Sequence, residues 1–301
     1  MNHSDLHGII PAIVTPFDSN ERFARPAFEQ LIHRLYSAGV HGLYVCGQTG
    51  EGLQQSVSQR KLVAEAAVEA SPEGKTVIIH VGAPSTNDAV ELARHASEVG
   101  AHVVSSLPPA GAYSFNEIRD YYQAIAEASQ VPLLIYYFPS MAPAIRTTGQ
   151  VLDLCGIPNV CGLKFTDSDF FRLWCLRRAG AVAFNGSDEM MVAGLIMGAN
   201  GGIGSTYNLM PEAFVSLYER AVAGDWNGAR QMQDAINELI EVLLRYPVHA
   251  AIKATLKWSG IDCGHCIGPR QRLSPQEEDQ LRTAVASTSL GQQIVPVSAG
   301  R

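Results

Sequence analysis

What this chain of 301 residues lacks narrows its function before any motif is considered. No stretch approaches the roughly 18 consecutive apolar residues that would mark a transmembrane helix. Its first residues, Met1-Asn2-His3-Ser4-Asp5-Leu6-His7, show no basic start leading into an apolar run. A soluble, cytoplasmic protein without membrane attachment is expected. Charged residues are few (17%), and 22 Lys plus Arg stand against 29 Asp plus Glu with no long run of either sign. No basic footprint for nucleic acid or anionic lipid results. The phosphate-binding motif GxxxxGK is missing, and the glycine-rich segment 198–207 does not give GxGxxG after a strand. Cysteine is also scarce: six residues, at 46, 155, 161, 175, 263 and 266, lie scattered in mainly apolar segments, as reduced core thiols do. One close pair, Cys263-Gly264-His265-Cys266, has the spacing of a redox site. It follows a helical pattern and runs into Gly268-Pro269 instead of opening a helix after a strand, and no second pair supplies zinc ligands, so it reads as a structural loop.

What is abundant is apolar sequence in short blocks. Hydrophobic residues make up 47% of the chain. Strand-like runs at 8–14, 42–45, 76–81, 101–104, 132–136, 160–164, 181–184 and 201–204 alternate with helix-sized segments. Their hydrophobicity is continuous, not alternating, as expected of strands buried on both faces of a parallel sheet. Eight βα units predict an α/β fold of the (β/α)8 TIM-barrel type spanning residues 1–223. An open doubly wound sheet is the competitor, and its nucleotide fingerprint is missing. Ser85, Ser114 and Thr147 are expected to cap helices, with Glu117 and Gln150 completing capping boxes. After the eighth unit the pattern becomes purely helical, at 211–223, 226–246 and 248–258, with Asn227, Arg230, Gln231, Gln233, Asp234 and Glu238 expected to face solvent. Ser274-Pro275-Gln276-Glu277 starts another helix. Residues 224–290 are thus expected as a helical extension on the barrel, and 291–301 as a flexible tail.

In a barrel, residues that follow the strands converge on one face, and that is where a site belongs. After the sixth strand stands Lys164. Desolvation at a buried strand end disfavours an ammonium, and a free amine attacks ketones. The alternative is that Lys164 merely snorkels or pairs with Asp167 or Asp169. After the second strand comes Gly47-Gln48-Thr49-Gly50-Glu51, whose glycines let backbone N–H groups approach an anion such as a carboxylate. Tyr136 ends the fifth strand, Asn185-Gly186-Ser187-Asp188-Glu189 the seventh and Gly204-Ser205-Thr206-Tyr207-Asn208 the eighth. Each has a plain structural reading as a turn, a core aromatic or an acidic first helical turn. Together, an amine, a phenol, an anion-binding turn and sugar-compatible polar groups describe Schiff-base chemistry on a 2-oxo acid.

The motifs Gly47 to Glu51, Tyr136-Tyr137-Phe138-Pro139 and Gly162-Leu163-Lys164 resemble those of the pyruvate-dependent class I aldolases. Gly186-Ser187-Asp188-Glu189 and Gly202-Ile203-Gly204-Ser205-Thr206-Tyr207-Asn208 resemble the N-acetylneuraminate lyase family in particular, and the likeness covers residues 8–288. The resemblance implies Lys164 as Schiff-base former and Tyr136 as acid/base residue. It also implies Gln48 and Thr49 at the substrate carboxylate, and Thr166, Gly186, Asp188, Glu189 and Ser205 at the sugar chain. It further implies sialic acid, pyruvate and N-acetylmannosamine as the small-molecule partners, a homotetramer, and no metal or organic cofactor. Two departures stand out. Gln48 occupies a place where the family usually has Ser or Thr, and Pro108-Pro109-Ala110-Gly111 replaces the tyrosine that a neighbouring subunit often contributes. A relay of three hydroxyls is therefore not expected; Thr49 and Tyr136 remain. Dihydrodipicolinate synthase is the nearest rival, but Met141 stands where that family usually has an arginine for a second carboxylate. Another sugar-acid aldolase or dehydratase, or a non-catalytic 2-oxo acid binder, completes the alternatives.

Overall fold

The structure, a computed structural model, describes residues 6–295. Eight strands, β1 (Gly8–Pro11), β2 (Gly42–Val45), β3 (Thr76–His80), β4 (Val103–Ser106), β5 (Leu133–Tyr137), β6 (Val160–Phe165), β7 (Val182–Asn185) and β8 (Gly201–Gly204), form one parallel sheet. Its order runs β1-β8-β7-β6-β5-β4-β3-β2. The ring closes where Ala12 bridges Tyr44 and the Ile13 N–H donates to the Tyr44 carbonyl at 3.0 Å. Around it lie α1 (Arg25–Ser37), α2 (Val57–Glu69), α3 (Thr86–Glu98), α4 (Phe115–Ala128), α5 (Thr148–Cys155), α6 (Phe170–Arg178), α7 (Met191–Ile196) and α8 (Pro211–Val222). The chain then adds α9 (Trp226–Leu243), α10 (Val248–Trp258), α11 (Pro275–Ala286) and the single turn α12 (Gly291–Ile294). This is a (β/α)8 TIM barrel with further C-terminal helices.

The continuous apolar runs divide between two cores, because alternate strand residues face opposite ways. Ile10, Tyr44, Ile78, Val103, Leu134, Tyr136, Phe184 and Ile203 fill the barrel, while Ile9, Leu43, Val77, Val104, Leu133, Ile135 and Tyr137 meet the helices. Local signals account for the helix starts. Ser114 with Glu117, Thr147 with Gln150 and Ser274 with Glu277 all form reciprocal capping boxes, and Ser85 accepts from the Asp88 N–H.

Two expectations change here. Gln233 is buried, not solvent-facing: it accepts from the Val192 N–H at 3.1 Å and donates to the Asp188 carbonyl at 3.1 Å, tying α9 to the segment after β7. The expected tail begins with α12, and Ile294 and Val295 are buried. Apolar side chains with a surface to cover held the chain down there; residues 296–301 lie outside the described residues.

Candidate active site

Lys164 faces the barrel interior because of an irregularity in β6. Leu133 pairs with Val160, yet Leu134 pairs with Gly162, so one extra residue enters β6. Such a bulge reverses the in-out alternation beyond it. Cys161 and Lys164 therefore both point inward, Leu163 and Phe165 outward, and Lys164 comes to stand in register beside Tyr136. Gly162 makes the bulge possible: its φ is +151°, and a Cβ there would lie 2.0 Å from the Val182 carbonyl oxygen. Lys164 is buried, with Nζ 4.1 Å from the ring centre of Tyr136 and 5.1 Å from that of Tyr44. Neither nearby aspartate pairs with it. Asp167 and Asp169 both turn to Arg172, at 3.4 and 3.5 Å. Among the described residues no carboxylate forms an ion pair with Lys164.

Tyr136 stacks on Phe138 (interplanar angle 10°) and meets Tyr44 edge-on, and Tyr44 is itself fixed by a 2.9 Å hydroxyl contact with Ser105. The phenol of Tyr136 makes no hydrogen bond within the described protein, so its O–H is available to a ligand. Tyr137, one residue on, points the other way and binds Asp167 and Arg172.

The turn after β2 is held from a distance. Cys46 and Glu51 both have positive φ (57° and 54°), a conformation that costs non-glycine residues energy unless surroundings enforce it. The enforcement at Glu51 comes from α10 and the loop that follows it. The fully buried Glu51 carboxylate lies 2.7 Å from Lys253 Nζ, a contact of charge without hydrogen-bond alignment at that oxygen, and its other oxygen accepts from the Ile267 N–H at 2.8 Å. Arg270 donates to the Gln48 carbonyl at 2.9 Å. Within the turn, Glu51 N–H returns to the Gln48 carbonyl and Gly52 N–H to that of Gly47. The N–H groups of Gln48 and Thr49 are left without a partner among the described residues. Paired N–H groups are the rule in buried backbone, so these two orphans are candidate donors to an anion. The Thr49 hydroxyl lies 2.7 Å from that of Ser205, joining the β2 and β8 turns.

Beyond β7, a Cβ on Gly186 would lie 2.0 Å from Thr166 Oγ1, so glycine is required by close approach. That Thr166 hydroxyl is itself buried without a partner. Asp188 is committed in part: one oxygen accepts from the Thr206 N–H (2.8 Å) and hydroxyl (2.7 Å), which braces the β7 turn against the β8 turn. Burial raises its carboxyl above the ordinary value, against the opposing Thr206 bonds and the nearby Lys164 charge. Glu189 is exposed, its backbone carbonyl held by Asn237 at 3.2 Å.

All nine residues singled out from the sequence line one cleft of about 320 Å³ at the C-terminal end of the strands. Sequence reasoning missed the other wall: Ile240, Leu243, Leu244, Val248 and His249, from the α9–α10 corner. The helical period of α9 announced an apolar face but not what it would cover. Tyr44 was also missed, being one aromatic in an apolar strand. Burial, then Arg60 and Lys164, hold His80 well below the usual histidine range. A larger cavity, about 580 Å³, opens at the opposite end among Cys155, Cys161 and Arg177. Burial pushes both thiols up to about 12, and Arg177 is committed to the Gly198 carbonyl at 2.6 Å, so nothing there is poised for chemistry. Cys263 and Cys266 are buried thiols raised to about 12 and about 11 in the loop that supports Glu51. Among the described residues no cluster of metal-binding side chains occurs.

The Dihydrodipicolinate synthetase family pattern matches residues 5–288. The chain is 36% identical over 285 residues to an N-acetylneuraminate lyase of Rhizobium meliloti, covering 93% of this chain and 95% of that one. It superposes on a sialic acid aldolase of Ruminococcus gnavus with a TM-score of 0.89 at 31% identity, covering 96% of each chain. A Clostridium difficile protein solved in complex with mannosamine gives 0.89 at 28% identity, over 93% of this chain and 98% of that one.

Proposed function

This chain belongs to the dihydrodipicolinate synthetase family, and from that footing we propose how its cleft works as that of an N-acetylneuraminate lyase. The protein is a lyase of the class I aldolase type that cleaves N-acetylneuraminate reversibly to N-acetylmannosamine and pyruvate. The observation that carries the mechanism is a buried lysine in no ion pair, in register with a tyrosine whose hydroxyl is unengaged.

The substrate carboxylate accepts from the unpartnered N–H groups of Gln48 and Thr49. Lys164 Nζ adds to the C2 ketone and expels water, giving an iminium. The C4 hydroxyl proton passes to the Tyr136 oxygen as the phenol hands its own proton to the substrate carboxylate, the C3–C4 bond breaks, and its electron pair moves into the iminium to form an enamine. N-acetylmannosamine leaves; protonation at C3 and hydrolysis then release pyruvate and restore the amine. Thr166, Gly186, Asp188, Glu189 and Ser205 receive the sugar chain, Asp188 through the oxygen that Thr206 leaves free. No metal or organic cofactor enters this sequence of steps.

Specificity follows from charge. Asp188 and Glu189 accept from hydroxyls and repel a second carboxylate, and Met141 packs against the barrel-interior cluster where an arginine would grip one. These features support a sugar over aspartate semialdehyde. Assembly as a homotetramer in the cytoplasm belongs to the same reading; sedimentation analysis tests the assembly. Among the described residues no helix is long and apolar enough to cross a membrane.

Borohydride reduction in the presence of pyruvate tests the central step. The expected product is protein carrying one reduced pyruvyl group on Lys164, found by peptide mass mapping. Absence of the adduct, or its persistence in Lys164→Ala, refutes the mechanism.

A further inference from the structure

His249 is the one cleft residue with an imidazole, and the mechanism above gives it no task. It is the second residue of α10, at the corner where Ile240, Leu243, Leu244 and Val248 form the aliphatic wall. Its Nδ1 lies 2.8 Å from a terminal nitrogen of Arg270. A guanidinium can only donate, so Nδ1 accepts, the ring is neutral, and its single proton sits on Nε2. Arg270 is anchored in turn by the Gln48 carbonyl at 2.9 Å, which fixes the ring relative to the carboxylate-binding turn. Burial, with Arg270, Lys253 and Lys164 nearby, lowers the imidazole to about 3, so it stays neutral at working pH. The Nε2–H has no hydrogen-bond partner among the described residues.

A neutral N–H donor beside four aliphatic side chains is the complement of a group that carries a carbonyl oxygen next to a methyl. The acetamido group of N-acetylneuraminate is such a group. The substrate's other strong acceptor, its carboxylate, belongs at the Gln48–Thr49 turn, and its hydroxyls face acceptors at Asp188 and Glu189. We infer that His249 is a specificity-determining residue that reads the acetamido group: Nε2–H donates to the amide carbonyl while the α9–α10 wall covers the methyl. This rests on the sialic-acid reading of the same cleft.

The test runs the reaction in the condensing direction, with pyruvate and either N-acetylmannosamine or mannose, which bears a hydroxyl in place of the acetamido group. His249→Phe keeps a ring and removes the donor. The expected result is a fall of roughly 10-fold in kcat/KM for N-acetylmannosamine, the size of one hydrogen bond lost with its partner left unpaired. It should lie mainly in KM, with less than about a twofold change for mannose. His249→Gln, whose amide can both accept from Arg270 and donate to the cleft, should restore much of the preference. Borohydride trapping of pyruvate on Lys164 in each variant reports that the fold and the amine are intact. An equal fall for both sugars, or an unchanged ratio in His249→Phe, overturns the inference while leaving the lyase assignment standing. Trapping of pyruvate with turnover of neither sugar in the unaltered protein overturns both.

Discussion

Lys253→Met isolates what the buried ion pair contributes. The side chains of Glu51 and Lys253 are 0% and 2% exposed and 2.7 Å apart. With an effective dielectric near 20, their attraction is about 6 kcal/mol, set against a desolvation penalty of several kcal/mol for each ion. The pair is therefore worth little net, but half of it is costly. Methionine preserves most of the lysine's volume and leaves Glu51 with the Ile267 N–H and the weakly donating Cys266 thiol beside it. Lost as well are the 3.1 Å bond from Nζ to the His265 carbonyl and the contact over the Phe17 ring at 4.4 Å. Breaking such a pair from one side costs about 3–5 kcal/mol. At about 2 °C per kcal/mol for a domain of this size, the melting temperature should fall by roughly 6–10 °C. Glu51→Gln combined with Lys253→Met leaves no lone charge and should recover most of that loss. The measurement is thermal melting by circular dichroism on the parent, both single variants and the double variant. A single variant that melts within about 1 °C of the parent, or a double variant that melts below both singles, would refute this accounting.

Three further outcomes follow from the same geometry. Tyr136→Phe should still trap pyruvate on Lys164 but lose about 10²–10⁴-fold in cleavage rate, the usual range for a general acid/base; full activity in a steady-state assay would assign the C4 proton elsewhere. Because Glu189 is exposed, Glu189→Ala should lower kcat/KM for N-acetylneuraminate by only about 2–10-fold without affecting adduct formation; no change in that ratio would remove Glu189 from the sugar site. Acid should destabilise the fold through His249. Between about 3 and 6.5 the unfolded chain binds a proton there that the folded chain refuses, so stability falls as pH falls through that window, and His249→Phe should flatten the slope in urea titrations.

The barrel was legible because parallel strands covered on both faces leave an unbroken apolar signature, repeated here eight times. The strand-end residues were legible as types: an amine, a phenol, glycines, carboxylates. Their orientation was not. Lys164 looks inward only because β6 takes an extra residue opposite Leu133 and Leu134, and hydrophobic patterning does not reveal a bulge. Asp188 reads as a ligand for hydroxyls, yet half of its carboxylate serves Thr206, a partner 18 positions away. Gln233 reads as a solvent residue on polarity alone; its burial depends on finding the Val192 N–H and Asp188 carbonyl, which only the tertiary fold supplies. His249 and Arg270 carried no periodic or spacing signal, since their meaning lies in each other and in the Gln48 carbonyl.

The long reach of the β2 turn's supports has a consequence for how the protein is made. Glu51 waits for Ile267, 216 positions later, and Gln48 for Arg270, 222 positions later. At about 5–20 residues per second, synthesis needs on the order of 10–45 s to supply those partners. The last strand, Gly201–Gly204, is already complete by then, so the barrel's hydrogen-bonded wall can close before its carboxylate-gripping turn is braced. A nascent chain stopped after the eighth unit carries Lys164 and Tyr136 but not the clamp that positions a 2-oxo acid before them. Competence thus arrives with the final helices, and a reactive amine is not matched to its substrate until translation is nearly over.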